Sequence, residues 1–426
     1  MRSGRPAGGR PTRGSRSVFL DRSSVPARGP RVVHLGKYYP PSPGGIETHT
    51  QTLARTQAEL GADVRVVVVN HAARDGRDAT FDRFTRTPYA EDRDGPVRVT
   101  RVGRWANVAK LDVAPGLAAA LRRLLRDPPD VWHLHAPNVT MMLAVLAAPR
   151  IRPLVIAHHS DIVRQRVLKY AVRPIEHAVY RRAARILPTS AAYAEGSELL
   201  RRFADKVTPL PLGIDLAPFT NPSAAALAHA GKFRERFGSP LWLSVGRLIY
   251  YKGLHVGFEA LRSVPGKLLV IGTGPLEAEW KRKAADLGVA DRVVWYGHAT
   301  ADELVGAYLA ATALWFPSVA RSEGFGLVQV EAMATGCPVI NTAVPGSGVA
   351  WVCRHQREGL TVPMNDPAAL AAAANRLLSE PGLRERLAAG GRQRADEFGH
   401  RVMAERSLDI YREVIAAEAR CTPIPG

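Results

Sequence analysis

The sequence predicts an α/β protein made of two doubly wound domains in tandem. A strand, Gly-rich turn, helix, strand unit opens the chain at residues 31–69. The same alternation restarts near residue 241, after a stretch that lacks it. At 426 residues the chain also exceeds one ordinary core, so about two domains are expected. Repeated βα alternation of this kind builds parallel sheets covered by helices.

The elements follow in order. Arg31-Val-Val-His-Leu-Gly36 reads as a short buried strand. Pro40, Pro41, Pro43, Gly44 and Gly45 then form a loop, followed by a helix over 46–60 and the strand Val64-Arg-Val-Val-Val-Val69. Runs at 97–102, 130–135, 153–158, 184–188 and 207–211 supply further strands, giving a first domain over 31–212. Residues 213–240 are rich in Pro, Ala and small polar residues and read as a linker. The second domain, 241–399, has strand candidates at 241–245, 267–271, 292–295, 313–316 and 338–340. A closing helix over 400–418 is expected to brace both domains. Ligands of such sheets lie at the carboxyl ends of the strands, here the cleft between two facing domains.

Charge is uneven. The formal net charge is +19; residues 1–220 hold 35 Lys/Arg against 19 Asp/Glu, and residues 221–426 hold 23 against 20. The first half therefore suits an anionic neighbour such as a membrane surface or a lipid phosphate. No nucleic-acid module is recognisable, so nucleic acid is not expected as a partner. Residues 1–30 carry seven Arg and one Asp among Gly, Pro and Ser, with no apolar stretch, and read as a disordered basic tail. Three scattered cysteines suit neither a disulfide framework nor a zinc site and fit a reducing cytosol. No apolar run approaches the roughly 18 to 20 residues of a membrane span.

The chemistry concentrates in Ser322-Glu-Gly-Phe-Gly-Leu-Val-Gln-Val-Glu331. Glycines let a backbone approach a phosphate, and a helix start offers free N–H groups to an anion. Glu323 and Glu331 flank that turn and can accept hydrogen bonds from hydroxyls on either side of the anion. A capped helix with surface acids has the same spacing. Arg247 and Lys252 follow a strand and suit a diphosphate; a pair of solvated cations has the same look. Gly272-Thr-Gly274 is a tight strand-to-helix turn, weak as a dinucleotide fingerprint. Gly44 and Gly45 can close on a phosphate or simply cap a helix. His158-His159-Ser160-Asp161 ends a strand where site residues lie. His133 and His135 alternate along a strand, a pattern more often structural than metal-binding. Asp92-Arg-Asp94 has the form of a metal-holding pair but reads as a solvated loop. Residues 163–185 interleave seven cations, from Arg164 to Arg185, with apolar residues, as a membrane-surface helix or a solvated helix would.

Taken together and in order, the motifs Pro43-Gly-Gly-Ile-Glu47, His159-Ser-Asp-Ile-Val163, Gly246-Arg247 with Lys252-Gly253, Gly272-Thr-Gly274 and Ser322 through Glu331 resemble the bacterial family 4 glycosyltransferases. These are retaining enzymes of the two-domain GT-B fold, and the likeness spans about 31–418. The resemblance implies that Arg247 and Lys252 hold a donor diphosphate. It implies that Glu323 meets the transferred sugar, with Gly324, Phe325, Gly326 and Leu327 alongside, and that Glu331 meets the ribose. Gly272 and Gly274 would border the nucleotide, Gly44 and Gly45 would approach the diphosphate across the cleft, and His159 would bond the sugar near its reacting face. GDP-mannose or a UDP-hexose is the implied donor, and a glycan or lipid-linked acceptor the partner. No metal or other cofactor is expected, and the departing phosphate oxygen would itself take the acceptor proton. The implied location is the cytoplasm, peripheral to the inner membrane face. Two departures stand out: Gly324, where Ala is common, and Gln356-Arg357, where Gly is more usual. The rival readings are a GT-B epimerase or phosphorylase, and a non-enzymatic basic membrane-surface protein.

Overall fold

The computed structural model describes residues 29–42, 44–71, 87–108, 111–161 and 166–421, without the side chains of 166–171 and 421. Most of the expected basic tail, Pro43, and the Ile162–Gln165 segment lie outside these residues. Two open sheets form the molecule.

The first sheet is built from β1 (Arg31–Leu35), β2 (Asp63–Val69), β3 (Ala90–Asp94), β4 (Val97–Val102), β7 (Val131–Ala136), β8 (Leu154–His158) and β9 (Arg185–Pro188). Its order is β3-β4-β2-β1-β7-β8-β9, parallel except for the antiparallel edge strand β3. The Val-rich run of β2 is nearly all buried, as a central parallel strand covered on both faces requires. A short hairpin, β5 (Ala106–Val108) and β6 (Leu111–Val113), stands apart from the sheet. The second sheet, entirely parallel, comprises β10 (Leu241–Val245), β11 (Lys267–Ile271), β12 (Val293–Gly297), β13 (Ala313–Phe316), β14 (Val339–Ala343) and β15 (Gly359–Pro363). Its order, β12-β11-β10-β13-β14-β15, is that of a dinucleotide-binding sheet with a switch point between β10 and β13. The first sheet has its own switch point between β1 and β7.

The structure departs from several expectations. Residues 207–211 form no regular strand: Thr208 N donates to Ile186 O and Leu210 N to Pro188 O, both at 2.9 Å, but Pro209 and Pro211 have no N–H to continue a ladder. The expected linker contains the helix Ala224–Phe237, whose Ala226, Ala230, Phe233 and Phe237 are buried, most in the second core. Ala-rich sequence here marks close helix packing, against Ala301–Ala310, rather than a loop. Asp92 and Asp94 belong to edge strand β3, not to a loop. Asp94 accepts from Tyr39 Oη at 2.7 Å and Gln51 Nε2 at 2.9 Å and pairs with Arg55, which occupies it structurally.

The closing helix runs His400–Cys421 and buries Met403, Ala404, Leu408, Tyr411 and Val414 among Leu53, Val64 and Val131 of the first half. Its start is tied to the other half. Ile214 N donates to Phe398 O at 3.0 Å, and His400 N donates to Ile214 O at 2.8 Å. The two chain crossings near 214 and 399 therefore run side by side, as a hinge would.

Candidate active site at the interdomain cleft

The two loops that leave the β10/β13 switch point carry the charged groups. After β10, Gly246 adopts φ 136°, and a Cβ there would stand 3.1 Å from Lys252 Cε. The turn thus folds Lys252 back beneath Gly246. Gly272 abuts this loop, and any side chain on it would overlap Gly246 O at 2.1 Å. Gly274 similarly meets the Leu248 backbone. Their lack of side chains is required by loop packing, which shapes the Arg247–Lys252 turn. Arg247 is exposed at its tip.

Lys252 Nζ lies 2.7 Å from Glu323 Oε2 and 4.8 Å from the Phe316 ring centre. Both members of the pair are largely buried. The contact is an ion pair without an aligned hydrogen bond. Backbone contacts hold Glu323 from both sides: its N–H donates to Ala320 O at 3.0 Å, and Ser347 Oγ donates to its carbonyl. The helix Leu327–Thr335 starts directly after, with Gly326 in the left-handed region at φ 79°. A Cβ on Gly326 would meet the Phe316 ring at 2.6 Å, so glycine is needed here twice over. Gln329 Nε2 donates to Phe325 O at 2.9 Å, and Asn341 Nδ2 donates to Gln329 Oε1 at 2.8 Å, which fastens the turn from beneath. The first-turn N–H groups of such a helix have no intrahelical acceptor. Glu331 is one turn further on, and its Oε2 accepts from Tyr308 Oη at 2.7 Å. Burial pushes the Glu331 carboxyl up, against the pull of Tyr308 and Lys252.

The facing edge differs in kind. Gly44 caps the helix Gly45–Glu59, and the Glu47 carboxylate folds back over it, 2.1 Å from where a Cβ would stand. Gly45 faces open space. Of the Gly-Gly pair, Gly45 is thus the member open to an approaching group. Burial pushes the Glu47 carboxyl up, moderated by Lys37.

His159, just past the end of β8, is mostly buried with part of its surface open. Its Nε2 lies 3.0 Å from His135 Nδ1, and His135 Nε2 lies 3.0 Å from His34 Nδ1. His34 Nε2 lies 2.8 Å from Gln57 Oε1. The rings of His135 and His159 lie side by side with their planes within 8° of parallel, and His49 is edge-on to both. Burial drives these imidazoles toward the neutral form; it lowers His34 to about 4 and His49 to about 3. His133, His135 and His159 fall well below the usual histidine range for the same reason. Two triads, His34–His133–His135 and His49–His135–His159, bring ring nitrogens within 4.8 Å of one another, as a metal site would. In each triad, however, two of the nitrogens already face each other at 3.0 Å, the spacing of a hydrogen bond.

A contact across the cleft escaped sequence reasoning. Arg321, next to Ser322, pairs with Asp161 of the first half. Its Nη2 donates to Tyr193 O at 2.8 Å and its Nε to Gly346 O at 2.6 Å. Burial raises the Asp161 carboxyl, but His158 and Arg321 pull it far below the usual carboxylate range. Gly324 packs on the same seam, where a Cβ would lie 3.1 Å from the Tyr193 ring. Asp161 lies inside one quoted motif and Arg321 flanks another, yet nothing local says that they meet. Gln356, where Gly is more usual, has φ 60°, a backbone state that explains the preference for Gly. The cations at 173–185 are partly committed: Arg173 pairs with Glu198, and Arg182 donates to the carbonyls of Val145 and Ala148 at the end of a neighbouring helix.

Known proteins share this architecture. Residues 44–213 match the family described as glycosyl transferase 4-like domain, and residues 229–394 the one described as glycosyl transferases group 1. The chain is 30% identical to the D-rhamnosyltransferase WbpZ of Pseudomonas aeruginosa over 91% of its own length and 92% of that protein. It is 30% identical to the O-antigen chain mannosyltransferase C of Escherichia coli, covering 89% and 96% respectively. The sucrose-phosphate synthase structure from Thermosynechococcus elongatus superposes with a TM-score of 0.73 at 22% identity, covering 91% of this chain and all of that one.

Proposed function

We propose, from the premise that the chain belongs to the glycosyltransferases with a 4-like first domain and a group 1 second domain, that it is a retaining hexosyltransferase. It moves a hexose, mannose favoured, from a nucleotide-diphosphate sugar to a hydroxyl of a glycan or lipid-linked acceptor in polysaccharide or glycolipid synthesis. The rhamnosyl and mannosyl activities in the names of the two relatives support a mannose-like sugar.

The observation that carries this reading is the Lys252–Glu323 pair at the β10/β13 switch point, beside a helix start. Lys252, Arg247 and the first N–H groups of that helix take the diphosphate. Engaging the phosphate draws Lys252 from Glu323 and frees that carboxylate for sugar hydroxyls. Glu331, positioned by Tyr308, accepts from the ribose. His159 and Gly45 close on the sugar and the diphosphate from the opposite edge. The bond from the anomeric carbon to the diphosphate breaks, and the acceptor oxygen bonds that carbon on the same face. The acceptor proton passes to the departing phosphate oxygen, so no protein base and no metal is assigned a step. The basic first half holds the acceptor at the cytoplasmic membrane face, as a peripheral protein; among the described residues no helix is long and apolar enough to cross a membrane.

Release of nucleoside diphosphate from GDP-mannose, GDP-rhamnose and UDP-hexoses, with and without EDTA, tests the proposal. Release from at least one donor, unaffected by EDTA, is expected. No release from any donor overturns the transferase reading, and loss in EDTA overturns the metal-free one.

A further inference from the structure

We infer that Gln57, anchored by the closing helix, fixes the tautomer of His159 through two intervening imidazoles, so that His159 offers the cleft a bare Nδ1 that can only accept a hydrogen bond. The inference rests on the reading of His159 as a contact of the transferred sugar, and it makes Gln57 a positioning residue for that contact.

The row of hydrogen bonds begins at the closing helix. Ser407 Oγ donates its single proton to Ala404 O at 2.6 Å. Its lone pair must then accept, and the group presented to it at 2.7 Å is Gln57 Nε2. Tyr411 Oη takes the same amide at 3.1 Å. The amide is thereby oriented, with Oε1 toward His34 Nε2. An amide oxygen only accepts, so His34 Nε2 carries the proton and His34 Nδ1 is bare. His34 Nδ1 accepts from His135 Nε2, which leaves His135 Nδ1 bare, and that atom accepts from His159 Nε2. A neutral imidazole has one proton. His159 has placed its own on Nε2, and Nδ1 is the nitrogen outside the chain.

Two consequences follow. His159 recognises a sugar hydroxyl that donates to it, and does not donate to the leaving phosphate. The chain also ends at an amide, which cannot take a proton, so a proton that reached Nδ1 could not be passed out through the helix. Burial of every ring supports the neutral state on which the assignment depends.

Nitrogen-15 NMR of the histidine rings in the full chain, with no donor or acceptor added, reads the tautomers directly. The expected result is a single Nε2–H tautomer for His159, His135 and His34. In Gln57→Leu, and in a Ser407→Ala/Tyr411→Phe double variant that leaves Gln57 in place, His159 should become a mixture of tautomers. The donor kcat/KM should fall about tenfold, as for one misaligned hydrogen bond. His158, held separately by Tyr180 Oη at 2.6 Å and Asp161 Oδ1 at 3.1 Å, should keep its shifts and report that the fold is intact. An Nδ1–H tautomer at His159 in the wild type overturns the inference. So does an unchanged His159 tautomer in both variants, or a stoichiometric metal ion with metal-shifted ring nitrogens. The NMR result stands whether or not any donor is turned over, so failure of the transferase reading remains distinguishable.

Discussion

Lys252 and His159 face one cleft from opposite sheets, and they are held in opposite ways. Lys252 is largely buried, its ammonium paired with Glu323 and set over the Phe316 ring. His159 heads a row of imidazoles that burial keeps neutral. One edge can meet a diphosphate with charge. The other can grip a neutral sugar without competing for the anion. A low-dielectric cleft makes that division matter, because a second cation opposite Lys252 would carry a desolvation cost.

The contrast can be tested by degrees. The largest effect belongs to the charged edge. Lys252→Ala should lower kcat by about 10²- to 10³-fold, as loss of a preorganised charge stabiliser does. Steady-state kinetics with a saturating donor measures this. On the neutral edge, His159→Ala should cost about tenfold in kcat/KM, the worth of one oriented hydrogen bond.

The pH dependence of stability separates the edges next. His34 falls from 6.5 to about 4 on folding, so the unfolded chain binds more protons between those values. The stability held by the neutral form is therefore complete above pH 6.5 and is lost as pH falls toward 4. The depressed Asp161 carboxyl works in the same direction at lower pH, below the usual carboxylate range, because its ion pair is lost on protonation. Hydrogen exchange at pH 5 should show β1 and β7 loosening before β10 and β13. Simultaneous loosening would count against the division. The smallest effect is at the seam: Gly324→Ala must shift the Tyr193 ring by a few tenths of an ångström. It should cost about 1 kcal/mol in a denaturant titration, the low end for one added methyl in a packed seam.

The charged edge was the more legible in sequence. Arg247, Lys252 and Glu323 sit in short motifs right after apolar runs, and a switch point turns that local order into a site. What excludes side chains at Gly272 and Gly274 is the backbone of a different loop, which their local sequence does not show. The imidazole row was not legible as a unit. His34, His135 and His159 are spread over three strands, and Gln57 looks like any polar helix residue until Ser407 lies against it, 350 positions away. Elements failed for similar reasons. The run at 207–211 lies along β9 but donates to it only through Thr208 and Leu210, because Pro209 and Pro211 have no N–H, and β15 was missed because Gly359 and Pro363 disguise an edge strand.

Calorimetric binding of GDP and UDP tests the division between the edges most directly, since it needs neither sugar nor acceptor. Wild type should bind at least one of them. Lys252→Ala should weaken that binding at least about tenfold, while His159→Ala leaves it within about twofold. If His159→Ala weakened it as much as Lys252→Ala, or if Lys252→Ala left it unchanged, the charged edge would not be what holds the diphosphate.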